Sequence, residues 1–145
     1  MPKNLFTSVL LLAVSLFLIA TLAAQQAGGP YAAIPADAAK QGNPVKPSPE
    51  SLERAKKWWK LDCAMCHGDN GDGKGSLAAD MKLQIADFTD PASLKDRTDG
   101  EIFYIIKTGH QDMPPEGTRI KPEENWDLVN YVRSLAKKSA PESKP

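Results

Sequence analysis

The apolar positions of the chain fall into four groups with two different patterns. From Leu5 to Ala24 the chain reads LFTSVLLLAVSLFLIATLAA, uncharged throughout, after a start that carries Lys3. A run of this kind is an export signal, and its length fits two fates. A cleaved leader has a short apolar region ending in an A-x-A-like site, whereas about 20 apolar residues are enough to span a bilayer. Thr21-Leu22-Ala23 is the best cleavage candidate. Residues 1–24 are therefore expected to be a signal peptide or an N-terminal membrane anchor, with everything after Ala24 outside the cytoplasm.

The other three groups carry helical periods. Ser48-Pro49 with Glu50 and Glu53 opens a segment through Asp62, with Leu52, Ala55 and Trp59 on one face and Arg54, Lys57 and Lys60 elsewhere. Thr98-Asp99-Gly100-Glu101 is a capping box that opens IFYIIKTG, and Gly109 ends it. PEENWDLVNYVRSLAKK has Pro122 at its start, acids in its first turn and lysines in its last. Its apolar stripe is Leu128, Val129, Val132, Leu135 and Ala136. PASLKDR, residues 91–97, is a candidate for a further short helix. No segment alternates as a strand does, and no internal repeat is present. The pattern predicts an all-α domain of three to four helices over residues 49–138.

Between leader and domain, residues 25–48 are rich in Ala, Pro, Gly and Gln and poor in large apolar side chains, so a linker is expected there. If the leader is retained, such a tether reaches up to roughly 70 Å at about 3 Å per residue; if it is cleaved, the segment is a frayed N-terminus. Residues 139–145 are expected to form a flexible tail. Over the whole 145 residues, 41% hydrophobic and 25% charged composition is ordinary for a soluble globule. Residues 49–138 hold 14 Lys and Arg against 16 Asp and Glu, a net of −2. That balance implies no strong steering field and gives nucleic-acid binding no support. Three or four short helices make a thin core, and domains this small often need a staple or a cofactor.

The chemistry concentrates in LDCAMCHGDNGDGKG, residues 61–75, which holds both cysteines and one of the two histidines. A disulfide between Cys63 and Cys66 leaves His67 unexplained. A thioredoxin-like redox pair needs a preceding strand and a βαβ context, and a Lys- and Trp-rich helix precedes this motif. Structural zinc takes four tetrahedral ligands; His110 alone could join, and Cys66 and His67 as immediate neighbours clash geometrically. Covalent attachment of a c-type haem is the remaining reading of C-x-x-C-H. At i and i+3 of a tight helical turn the two thiols reach two vinyl groups along one haem edge, and the next residue aims its imidazole at the iron. A calcium loop at DNGDGKGSLAAD fails in detail, since Gly71, Gly73 and Lys74 occupy its third, fifth and sixth positions and Asp80 its twelfth. Glycines that let backbone pass close to a flat macrocycle account for the loop better.

An iron held by one histidine has a second face, and the candidates for it are Met65, Met81, Met113 and His110. Met65 lies inside the attachment turn. Met81 reads as a core residue, the ordinary role of a methionine. Met113 sits in TGHQDMPPEGT, a polar loop stiffened by Pro114 and Pro115, where core packing gives a hydrophobic residue no ordinary reason to be. His110 is the runner-up, against the ordinary reading of a solvated loop histidine.

CAMCHGDNGDGKG, TGHQDMPP and WDLVNYVRSL together resemble the class I c-type cytochromes, small helical electron carriers of the bacterial periplasm that also occur as domains of larger dehydrogenases and oxidases. The resemblance covers about residues 50–137. It implies the small cytochrome c fold around one haem c, with Cys63 and Cys66 as thioether attachments, His67 as proximal ligand, Met113 as distal ligand, and the first and last helices crossing beside the haem. Two departures stand out. Ala55 replaces the family's usual glycine at the helix crossing, opposite Tyr131, which implies slightly more widely spaced helices. The stretch Gln84-Ile85-Ala86-Asp87-Phe88 lacks the proline whose carbonyl often accepts the proximal histidine's Nδ1 hydrogen, although any backbone carbonyl can serve. Two permanent ligands leave no position for substrate, so the resemblance implies electron transfer and not catalysis. It implies redox-protein partners in the periplasm or another extracytoplasmic space, with membrane attachment through residues 5–24 if the leader is kept. A cytochrome subunit of a larger oxidoreductase is the alternative. A haem enzyme or gas sensor with a labile distal ligand is another.

Overall fold

Two helices that are distant in sequence pack on each other and enclose the aromatic core. The computed structural model describes residues 34–138; the leader, the first part of the expected linker and the 139–145 tail lie outside the described residues. The elements, in order, are α1 (Ala36–Ala39), α2 (Pro49–Trp58), a π-helical turn (Trp59–Cys63), α3 (Ala64–His67), α4 (Ser76–Met81), α5 (Asp99–Thr108) and α6 (Pro122–Lys138). No strand occurs among the described residues, so the domain is all-α as the periodicity predicts.

Each long helix starts where its local sequence dictates. Ser48 caps α2: its hydroxyl accepts from the Ser51 amide at 3.1 Å, and the Ser51 hydroxyl accepts from the Ser48 amide at 2.9 Å. The Thr98–Glu101 box opens α5 in the same reciprocal way, at 3.2 and 2.8 Å. Ser51, Ala55 and Trp59 recur every four residues and form the buried edge that meets α6. From α6 come Trp126, Leu128, Val129, Tyr131, Val132 and Leu135; α5 adds Ile102, Phe103 and Ile106. Phe103 stacks on Trp126 at 4.1 Å between ring centroids. Ala55 is 0% exposed, so its methyl is fully enclosed in the helix interface. Asp127, also fully buried, accepts from Arg54 at 2.8 Å, which ties α2 to α6 a second time.

The linker expectation fails for its second half. α1 lies across the start of α5, so close that a Cβ on Gly100 would sit 1.9 Å from the Ala38 carbonyl oxygen. Asn43 and Asn130 then bond side chain to side chain at 2.9 Å, Asn130 donates to the Val45 carbonyl at 2.9 Å, and Val45 packs on the core. A segment with few large apolar residues docks here through amide hydrogen bonds and one close backbone contact, neither of which hydrophobic patterning records. The expected short helix at 91–97 is likewise a run of turns. Arg133 on α6 donates to the carbonyls of Leu94 (2.8 Å) and Arg97 and to the Asp99 carboxylate (2.9 Å), taking up acceptors in that run.

Candidate functional site

The attachment turn begins with the last turn of the α2 rod. At Trp59–Cys63 the winding relaxes to a π turn, in which the Ala64 amide donates to the Trp59 carbonyl; such turns are frequent at functional sites. α3 carries Ala64 to His67, so Cys63 ends the π turn and Cys66 and His67 lie on α3. Trp59, 2% exposed, donates its indole hydrogen to the Gly68 carbonyl at 3.1 Å and pins the end of this turn to the core. The following loop folds back: Gly73 donates to the His67 carbonyl at 2.8 Å and Gly75 to the Cys66 carbonyl at 3.2 Å.

Both thiols are free and half-buried. Burial first, then the nearby carboxylates of Glu116 and Asp62, push the Cys63 thiol up to about 12, so it is a neutral thiol and not the activated thiolate of a redox dithiol. Burial also lowers His67, which favours the neutral imidazole a metal needs. Its ring stacks on Phe88 at 5.1 Å and 19°, with Trp59 at 5.6 Å on a tilted approach. The Nδ1 atom is buried with no hydrogen-bond partner, so the expected bond to a carbonyl within residues 84–88 is not formed.

The four methionine and histidine candidates separate by environment. Met65 is 50% exposed, and Met81 is 53% exposed at the end of α4 and not in the core as expected. Met113 is half-buried and packs on the aromatic core, so core contact accounts for part of its placement. Its backbone is clipped to His110 by two hydrogen bonds, 3.0 and 2.9 Å, around a left-handed Gln111. Cys63, Phe88 and Met113 thus pack on one cluster from three parts of the chain.

The glycine loop also meets the attachment turn closely. A Cβ at Gly75 would lie 2.2 Å from the Met65 carbonyl oxygen, so at this position glycine lets the loop lie directly on the backbone of the turn. Sequence reasoning also missed a charged link: Arg119 donates to Asp62 at 2.8 Å and to Glu116 at 3.0 Å. The visible hint was an acid directly before Cys63 and an acid and arginine shortly after Met113.

The residues present fit a covalent haem: the two thiols of Cys63 and Cys66 and the neutral imidazole of His67 with an orphaned buried nitrogen lie on one turn, and a half-buried thioether packs on the same cluster. A profile of the family described as Cytochrome c matches residues 52–136. The chain is 31% identical over 87 residues to the cytochrome bc1 complex cytochrome c subunit of Corynebacterium diphtheriae, covering 59% of this chain but 28% of that protein. It is 30% identical to cytochrome c6 of Pyropia tenera, covering 60% of this chain and 95% of that one. A chain of the Kuenenia stuttgartiensis reducing HAO-like protein complex superposes with a TM-score of 0.54 at 27% identity, covering 63% of this chain and 46% of that chain. The chain spans less than a third of the bc1 subunits it matches and nearly all of the cytochrome c6. With the profile covering more than half of the chain and the CAMCH turn inside it, the chain belongs to the cytochrome c family, whose cofactor is covalently bound haem c.

Proposed function

We propose that the chain carries electrons one at a time between extracytoplasmic redox proteins, with one haem c joined to Cys63 and Cys66 and its iron bound by His67 and Met113. The observation that carries this reading is the placement of Cys63, Cys66 and His67 on one closed turn, inside the region the family profile matches. Cys63 and Cys66 would hold the haem through two thioether bonds, an addition of each S–H that would need no oxidant. The bound group supplies a one-electron couple at its iron. His67 contributes a neutral imidazole whose ring lies against Phe88 and near Trp59, and Met113 a thioether on a loop braced by its own backbone bonds. A His/Met pair raises the potential relative to two histidines and leaves no coordination position for a substrate, which suits a carrier and not a catalyst.

A second reading, a cytochrome subunit of a larger oxidoreductase, is favoured by relatives named as bc1 subunits and a structural neighbour from an HAO-like complex. No helix among the described residues is long and apolar enough to cross a membrane; attachment to one rests on residues 5–24. The test of the common core is denaturing electrophoresis with haem staining, from a strain able to mature c-type cytochromes. One covalently stained band is expected, lost when Cys63→Ala and Cys66→Ala are combined. No stained band from the parent, or an unaltered band from the double variant, overturns the proposal.

A further inference from the structure

The Met113 loop is fastened in two directions. Toward α5, the Glu116 amide donates to the Ile106 carbonyl at 2.9 Å and the Gly117 amide to the Lys107 carbonyl at 3.0 Å. Neither bond fixes the loop relative to the turn that carries the cysteines. Arg119 does: one guanidinium nitrogen donates to Asp62 Oδ1 at 2.8 Å, and another to Glu116 at 3.0 and 3.3 Å. Asp62 is the residue before Cys63, and Glu116 is the third after Met113. A single side chain therefore joins the attachment turn to the distal loop.

We propose that Arg119 is a positioning residue for Met113, holding its loop against the turn that carries Cys63, Cys66 and His67. The inference rests on Met113 being the distal ligand. Its force comes from what surrounds the guanidinium. The Asp62 and Glu116 side chains are 16% and 9% exposed, and Asp62 Oδ2 is buried with no hydrogen-bond partner. Burial raises the Glu116 carboxyl above its usual value, with Arg119 opposing. Two poorly solvated carboxylates facing each other repel once their shared cation is gone. Loss of Arg119 therefore removes a tie and also pushes the loop off the turn. A ligand site tolerates about 0.5 Å of such displacement.

The experiment uses the full, haem-loaded chain in its ferric form. Imidazole is titrated as a competing ligand while the sulfur-to-iron charge-transfer band is followed. Arg119→Gln is expected to bind imidazole about fivefold more tightly than the parent, the scale of a half-exposed ion pair. Arg97→Gln, which removes the Arg97–Glu101 pair on α5, is expected to leave imidazole binding unchanged. Adding Asp62→Asn to Arg119→Gln relieves the repulsion and recovers most of the parent behaviour. Arg119→Lys keeps the charge without the forked reach and falls between parent and Gln; it carries the test if Arg119→Gln does not fold. Imidazole affinities that match the parent in both Arg119 variants, with melting temperature lowered as in Arg97→Gln, overturn the inference and leave Arg119 a structural residue. A band that survives Met113→Ala overturns the reading of Met113 instead.

Discussion

Gly75→Ala isolates how tightly the loop is laid on the attachment turn. The backbone at Gly75 is extended, with φ of −66° and ψ of 150°, so alanine meets no dihedral strain there. The whole effect is steric. The added Cβ would lie 2.2 Å from the Met65 carbonyl oxygen, 2.5 Å from its carbon and 2.7 Å from the Ala64 oxygen, where ordinary contact begins near 3.4 Å. The atoms it meets are backbone of the helical turn that carries Cys66 and His67, so no side chain can swing away and one of the two segments must move by about an ångström. Overpacking of this kind typically costs about 1–3 kcal/mol, which lowers the melting temperature of a domain this small by roughly 5–20 °C. Gly42→Ala is the control, because nothing lies within 4 Å of a Cβ there; it is expected to change stability by less than about 0.5 kcal/mol. Urea and thermal unfolding followed by far-ultraviolet circular dichroism measure both. Equal midpoints for the two variants would show that the loop is not in close contact with the turn, and would refute the steric account.

Two further outcomes separate the remaining claims. Met113→Ala is expected to abolish the sulfur-to-iron charge-transfer band, lower the potential and create carbon monoxide and peroxide reactivity, whereas His110→Ala keeps the band; ready carbon monoxide binding by the ferrous parent counts against Met113. Asn43→Ala removes the bond to Asn130 and is expected to cost about 1 kcal/mol in urea unfolding, the usual net value of a hydrogen bond, while a wild-type midpoint would return residues 35–48 to the status of a linker.

What could be read from the sequence is local in the chain. Ser48 with Ser51, and Thr98 with Glu101, announce their helices because the capping partners are three residues apart. The stripe of α6 is legible for the same reason. Cys63, Cys66 and His67 are legible because their chemistry fits within five positions. The docked segment at 35–48 was not, because Asn43 meets Asn130 87 residues away and neither asparagine belongs to any periodic pattern. The turn at 91–97 resembled a helix because its own sequence permits one; Arg133, more than thirty residues on, claims carbonyls of that run instead. Met81 reads as core by composition alone, and only the end of α4 in three dimensions leaves it half exposed.

The same division runs through the site. Its proximal half is a contiguous turn whose geometry is fixed by helical winding, by the Trp59 bond to Gly68 and by the loop pressed on it at Gly75. Its proposed distal half is one side chain, Met113, on a loop whose position depends on contacts made across the fold, to α5 through Glu116 and Gly117 and to the attachment turn through Arg119. Damage to the first half should behave as a switch, since a thioether is either made or not. With Met113 as the proposed ligand, damage to the second is expected to be graded, because each tie contributes separately to holding its loop in place. A series running from Arg119→Lys through Arg119→Gln to Met113→Ala should therefore give progressively weaker hold on the iron at constant haem content, whereas replacing either cysteine changes the covalent attachment itself.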